Sequence, residues 1–156
     1  MQNTASTPIE RASTTDIEAL VKLKLAMFAE AGRAHLLPAE KAAAVALDYV
    51  TMYANDTAAH FVIRQNGAIA ACAGAFVKSD LPYRYFNPPE YGFIGDVYTV
   101  PESRSQGYAR WVSEAALEWL RSRGVRTVRL LASEAARPIY LSMGFRPTDE
   151  MVLHLE

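Results

Sequence analysis

One cysteine, Cys72, is all the thiol in this 156-residue chain. No disulfide can form within it, and a zinc cage of thiolates is excluded. Histidine is nearly as scarce: His35, His60 and His154 are scattered and form no HExxH-type pair, so no metal site is expected. Long apolar runs are missing too. None approaches the roughly 20 residues that cross a bilayer, so no membrane partner is expected. An excess of either charge is also absent, since 16 Lys and Arg face 17 Asp and Glu for a formal net charge of -1. Dedicated nucleic-acid binders usually carry a basic surplus, so no nucleic-acid partner is expected. The start of the chain is polar and lacks the apolar segment of a signal peptide, which points to a cytoplasmic protein with a frayed beginning over residues 1–7.

What is present suits an ordinary globule: 51% hydrophobic, 10% aromatic and 21% charged residues. At roughly 150 residues per domain, the length predicts one domain over 1–156. A short strand is expected near Ile9, followed by capping chemistry at Thr14-Thr15-Asp16 and a helix through Leu20, Met27 and Phe28 that stops at Gly32. A second helix is expected from Pro38 to about Asn55. Apolar runs at 60–64 and 68–77 flank Gln65-Asn66-Gly67, a strong hairpin signal. Residues 78–90 hold three prolines with Tyr83, Tyr85 and Phe86, an aromatic loop. A strand over 92–100, a helix over 106–123, a strand over 125–132, a short helix over 135–143 and a final strand over 151–155 complete the reading. Helices first, then a hairpin, then alternating strand and helix describe an α/β (α+β) fold with a mixed sheet.

The most informative segment runs from Asp96 to Arg110. A strand ends at Pro101, a polar loop follows, and a helix starts near Gln106-Gly107. The first N–H groups of a helix lack internal partners and sit at the positive end of its dipole, so a phosphate satisfies both, if the backbone is accessible. Gly107 and Ala109 remove bulk there. Helices commonly place an acid in the first turn, yet residues 103–113, between Glu102 and Glu114, hold no acid and carry Arg104 and Arg110. An anion site and a plain tight turn with solvated arginines both fit this segment taken alone. The Walker and dinucleotide glycine patterns are absent. A second landmark is 133–145, where Pro138 suits a first helical turn, Gly144 suits its end, and Tyr140 and Phe145 bracket that end.

Together these segments resemble the GNAT superfamily of acetyl-CoA-dependent N-acetyltransferases. Arg104-Ser105-Gln106-Gly107-Tyr108-Ala109 resembles the family's Arg/Gln-x-x-Gly-x-Gly/Ala loop, and Ile139-Tyr140-Leu141-Ser142-Met143-Gly144-Phe145 resembles its box near the last helix. The order of elements matches over nearly the whole chain. The resemblance implies a splayed sheet of six to seven strands flanked by about four helices, with acetyl-CoA as co-substrate between the fourth and fifth strands. It further implies that backbone groups of Tyr98, Thr99 and Val100 meet the pantetheine arm, and that the loop of Arg104, Ser105, Gln106, Gly107, Tyr108, Ala109 and Arg110 cradles the pyrophosphate. Ser133 stands where many relatives have an asparagine against the cofactor, and Arg137 could add charge near its phosphates.

Acetyl transfer to an amine needs a neutral amine, a stabilised oxyanion and a proton for the departing thiolate. With a thiol near pKa 8.5 and tyrosine near 10, a tyrosine beside the sulfur can donate that proton. The resemblance puts Tyr140 in this role and a backbone N–H from the 97–99 stretch at the oxyanion. Many relatives carry a glutamate base where this chain has Phe93. Asp96 is the nearest carboxylate, but strand alternation sets it on the opposite face unless a bulge intervenes, and a water chain is the other route. The aromatic loop with Tyr91 is either an acceptor pocket, a lid or a dimer contact. The expected activity is direct acetyl transfer to a primary amine of a small molecule or of a protein or peptide, with a homodimer open as its assembly. The alternatives are a non-catalytic acyl-CoA sensor on the same fold and an acyltransferase using a longer acyl-CoA.

Overall fold

A computed structural model describes residues 7–82, 86 and 88–155. The polar start expected over 1–7 therefore lies, apart from Thr7, outside the described residues, as do Tyr83 and Tyr85 of the aromatic loop. The elements in order are β1 (Ile9–Arg11), α1 (Ile17–Glu30), α2 (Ala42–Ala54), β2 (Ala58–Gln65), β3 (Ala68–Ser79), β4 (Glu90–Thr99), α3 (Tyr108–Ser122), β5 (Val128–Leu130) and α4 (Arg137–Ser142). The sheet order is β1-β2-β3-β4-β5. The first three pairings are antiparallel and β4–β5 is parallel, giving the mixed α/β architecture.

Local chemistry explains the punctuation. Asn66 and Gly67 have φ of 52° and 80°. Positive φ at both central positions is what a two-residue hairpin turn requires, and it matches the right-handed twist of the strands it joins. Ahead of α1, the Ser13 N–H donates to Asp16 Oδ2 at 2.9 Å, half of a capping box.

Two cores cover the sheet. On one face α3 sends Tyr108, Val112, Ala116 and Leu120 onto Ile63, Ala71, Ala73, Ala75 and Ile94. On the other, Leu20 of α1 packs on Val62, Cys72 and Tyr98, while Ile17, Val21 and Tyr49 pack beside Phe76. Alanines dominate the middle of β3, so the layers on both sides approach the sheet closely.

Four expectations need correction. Among the described residues the sheet has five strands, not six to seven. The strand expected over 125–132 is only Val128–Leu130, because its pairing with β4 ends at Ile94↔Leu130 and the two strands then part. Residues 151–155 form no strand: no neighbouring edge pairs with them and they run exposed. Helix α2 also begins later than Pro38, at Ala42, after a 3-10 turn over Ala39–Lys41. Among the described residues, no helix is long and apolar enough to cross a membrane.

Candidate active site

Where β4 leaves β5, its backbone is irregular. Between Cys72↔Tyr98 and Gly74↔Gly95, β3 advances two residues and β4 advances three, so β4 carries one extra residue. The strain falls on Asp96, with φ of 54°. That left-handed backbone is unusual for a side chain, and Asp and Asn tolerate it best. In an unbroken strand Ile94 and Tyr98 would share a face. Here Ile94 packs under α3 and Tyr98 under α1. Asp96 is turned with Tyr98, onto the α1/α2 face, away from Ile94.

On that face Asp96 meets three donors. The Lys24 ammonium donates to Oδ1, the Tyr49 hydroxyl donates to Oδ2, and His60 Nε2 lies 2.9 Å from Oδ2. His60 Nδ1 in turn lies 2.6 Å from the Tyr53 hydroxyl. A ring protonated on Nε2 satisfies both contacts, donating to Asp96 and accepting from Tyr53. Asp96 is 8% exposed and His60 is 0% exposed. Burial alone would raise the Asp96 carboxyl, but the His60 hydrogen bond and the Lys24 charge outweigh it and hold the group well below the usual carboxylate range. Tyr49 is pushed far above its ordinary value by burial and by the same carboxylate. With its lone pairs engaged and its charged form favoured, Asp96 is a poor acceptor for a further proton.

The loop after β4 has a second backbone feature. Ser105 and Gly107 both have positive φ, 66° and 83°, and Gly107 caps α3 with no acid in the first turn. Successive residues of this kind turn their N–H groups toward one concavity. Among the described residues, the N–H groups of Ser105, Gln106, Gly107, Tyr108, Ala109 and Arg110 find no acceptor. The loop is pinned from behind: Ser103 Oγ donates to Gln65 Oε1 at 2.7 Å, and Gln65 Nε2 donates to the Tyr108 hydroxyl at 2.8 Å. The arginines face elsewhere. Arg104 Nε donates to the Thr99 carbonyl at 2.9 Å and its Nη2 to Glu30 Oε2 at 2.7 Å. Arg110 reaches Glu114 and Ser142, each at 2.8 Å. The site is therefore built of backbone, with the side chains of Arg104 and Arg110 serving as braces.

Among the described residues, the edge of β4 from Gly95 onward has no strand on the β5 side. Some of its backbone is already committed, however: the Val100 N–H donates to the Ala70 carbonyl at 2.9 Å, and the Thr99 carbonyl is held by Arg104. The Thr99 hydroxyl is buried and, among the described residues, has no hydrogen-bond partner, a polar group left for something else to meet. Tyr98 directs its hydroxyl away, to Glu30 Oε1 at 2.8 Å.

Tyr140 is 7% exposed on α4, with its ring 6.0 Å from that of Phe145 and edge-on to it. Burial raises its phenol above the ordinary value, and the neighbouring Ser113 offsets part of the rise. The Ser113 hydroxyl makes no well-formed hydrogen bond of its own, so the contact is proximity rather than a fixed pair. Such a phenol is protonated at neutral pH and can only give a proton. No hydrogen bond joins it to Asp96 among the described residues; Tyr140 sits by α3 and Asp96 by α1 and α2. Ser133 is spent locally, since its Oγ accepts from the Ala136 N–H at 3.2 Å and caps the turn into α4. Arg137 is exposed at the first position of α4.

Sequence reasoning missed Lys24, Tyr49, His60 and Tyr53. They lie between 7 and 72 residues from their partners along the chain. The only local signal was a histidine inside an apolar β-run.

The chain matches the family model of the acetyltransferase (GNAT) family over residues 26–145. No curated protein matches it. Its fold is similar to that of a predicted acetyltransferase with acetyl-CoA from Clostridium acetobutylicum, at a TM-score of 0.86 and 24% identity, covering 96% of this chain and 95% of that one. It is also similar to a GCN5-related N-acetyltransferase from Ralstonia eutropha JMP134, at a TM-score of 0.85 and 26% identity, covering 95% and 97%. A third similar fold is glucosamine-6-phosphate N-acetyltransferase from Arabidopsis thaliana, at 0.72 and 18%, covering 95% and 97%. With the parted strands, the acid-free helix start and the family model spanning most of its length, this chain belongs to the GNAT acetyltransferase family.

Proposed function

We propose that this protein is an acetyl-CoA-dependent N-acetyltransferase that moves the acetyl group directly to a primary amine. The observation that carries the reading is the row of unpartnered N–H groups over 105–110 at an acid-free helix start. Such a row suits a pyrophosphate, because it offers hydrogen bonds and dipole charge together. Ser105, Gln106, Gly107, Tyr108, Ala109 and Arg110 would hold it through their backbone, and Arg137, exposed at the start of α4, would add a cation. The open edge of β4 over Tyr98, Thr99 and Val100 would take the pantetheine arm, with the free Thr99 hydroxyl on hand. Ser133 is given no contact, because its oxygen is occupied. When bound, acetyl-CoA supplies the acetyl group as an activated thioester.

Tyr140 gives its phenolic proton to the departing sulfur; burial keeps that proton in place until then. Asp96 is a positioning residue: it holds the bulge of β4 in its left-handed turn through Lys24, Tyr49 and His60. With Asp96 engaged, the proton of the amine leaves through water. The acceptor is a small-molecule amine or an amine of a protein or peptide. One similar fold belongs to an enzyme of glucosamine-6-phosphate, which supports a small amine.

The engagement of Asp96, the carboxylate where β4 parts from β5, by three donors favours one second reading, a non-catalytic acyl-CoA sensor. A thermal-shift titration with acetyl-CoA and longer acyl-CoAs tests binding; a ligand at a hundred times its Kd stabilises the fold by about 2.7 kcal/mol. No shift with any of them defeats both readings. A thiol-release assay over a panel of primary amines then separates enzyme from sensor, and the acyl chain giving the largest rate names the donor.

A further inference from the structure

On the α1/α2 side of the sheet the helices stop short of one corner. Alternation puts Gly95, Phe93 and Tyr91 of β4 on that side, with their register partners Gly74, Phe76 and Lys78 of β3. Space at two glycines agrees: a Cβ at Gly95 would meet the Phe93 and Phe76 rings, whereas one at Gly92 would meet Leu120 of α3. Arg129 of β5 is opposite Phe93 in the register and joins the same side. Tyr49 of α2 covers Phe76, ring to ring at 6.0 Å. Beyond it Tyr91 and Phe93 are half-buried, and Lys78 and Arg129 are exposed.

The corner is aromatic and positive. Lys78 Nζ lies 5.2 Å from the centre of the Phe93 ring, and the Arg129 guanidinium lies 5.0 and 4.7 Å from those of Phe86 and Tyr91. Stacking occupies the flat face of a guanidinium and leaves its N–H edge to bond something else. Among the described residues, neither cation pairs with a carboxylate. The acids nearest along the strands are turned aside. Asp80 accepts the Leu81 N–H at 2.7 Å, and Glu90 alternates onto the α3 side. Asp96, one residue past Gly95, is occupied by its three donors. An aromatic floor beside two cations without acids suits an anion carried on an apolar body.

The corner also borders the point where β4 and β5 part. Phe93 and Arg129 stand one residue before the last pair, Ile94↔Leu130, about 3.3 Å along the strands. Resting on the acetyltransferase reading, with the thioester at that parting, we infer that this corner selects the acceptor by charge. The acceptor is a small primary amine that also carries a carboxylate or a phosphate. Its anion meets Lys78 and the N–H edge of Arg129, its carbon skeleton lies on Tyr91 and Phe93, and its amine points to the parting. The same two cations repel an acceptor with a second ammonium group.

Matched amines that differ in the anion test this: phenylalanine against phenethylamine for a carboxylate, O-phosphoethanolamine against ethanolamine for a phosphate. In the thiol-release assay, kcat/KM for the anionic member of at least one pair exceeds its partner's by at least about tenfold, the size of one charged hydrogen bond. Lys78→Gln with Arg129→Gln removes most of that ratio, and Arg129→Lys alone keeps part of it. These side chains are exposed, so the variants keep the parent's fold, checked by circular dichroism. Where no amine turns over, melting temperatures of the protein saturated with coenzyme A make the same comparison, since no acetyl group is there to transfer. Failure of coenzyme A itself to shift the melting temperature defeats the acetyltransferase reading. With that shift present, equal responses to both members of each pair, no response to any amine, or a preference that survives the double variant overturns the charge selection.

Discussion

Replacing Asp96 by Asn isolates the charge of the buried network from its backbone. Asn tolerates the left-handed φ of 54° nearly as well as Asp, so the bulge itself costs nothing extra. The hydrogen bonds do not survive so well. The carboxylate receives Lys24 on one oxygen and Tyr49 with His60 on the other. An amide offers one oxygen and sets an NH2 group against donors at the other position. Breaking a buried ion pair by removing one partner costs about 3–5 kcal/mol. The Lys24 side chain is 21% exposed and can swing to water, and the His60 proton can shift between nitrogens, which favours the low end, about 3 kcal/mol. Ala at this position adds about 1–2 kcal/mol of left-handed strain. The sign with pH follows from the depressed carboxyl. Its contribution is complete above the unfolded value of about 3.9 and is lost as pH falls toward the lower folded value. Urea titrations of parent and Asp96→Asn across pH 3 to 7 should therefore show a gap of about 3 kcal/mol at neutral pH that narrows in acid as the carboxylate begins to protonate. A gap under about 1 kcal/mol, or one that widens in acid, refutes the network as drawn.

Tyr140→Phe should lower turnover by about 10²–10⁴-fold while leaving acetyl-CoA affinity within a factor of a few, since only proton donation is lost; a variant as fast as the parent removes Tyr140 as the acid. Gly107→Val puts a β-branched side chain at φ 83° beside Trp111 and should abolish the acetyl-CoA thermal shift, whereas an unchanged shift refutes the loop as the anion site. Gly74→Ala places a Cβ 2.8 Å from Phe76 and 2.9 Å from His60 Nε2, a cost of about 1–3 kcal/mol. In a double-mutant cycle read by urea melts, its effect should be less than additive with Asp96→Asn, because both act on the same histidine contact. Cys72, 1% exposed with its thiol pushed up to about 12 by burial and Asp96, should react with iodoacetamide only as fast as the protein opens; rapid labelling of the native fold would contradict that placement.

Features that depend on neighbours along the chain were legible in advance. Asn66-Gly67 announced the hairpin, and Gly107 with Gly124 bracketed α3, because positive φ at these positions needs no tertiary contact to explain it. The candidate phosphate loop was visible for a similar reason, as an acid missing from one helix start. Features made by distant pairing were not. The bulge at Asp96 is a mismatch in register between β3 and β4, so counting alternation along β4 alone set its side chain on the wrong face. Likewise, Arg104 read as a cation for a ligand, but Glu30, 74 residues earlier, holds it.

The arginines show why residue type was the weaker guide to this site. Six of twelve lie between Arg104 and Arg129, and two of these, Arg104 and Arg110, flank the helix start that lacks an acid. In the fold, Arg104 locks the turn after β4 to α1, Arg110 joins α3 to α4, and Arg129 stacks on Phe86 and Tyr91 at 5.0 and 4.7 Å. The cations hold the frame around the loop, and the loop presents backbone. A backbone site needs small residues, left-handed turns and no competing acid, which leave little mark on composition. It also needs rigid support, and here Arg104 and Arg110 spend their hydrogen bonds on Thr99, Glu30, Glu114 and Ser142. An arginine in such a site is therefore tested by what its loss does to the loop's shape, before any question of the charge it could bring to a phosphate.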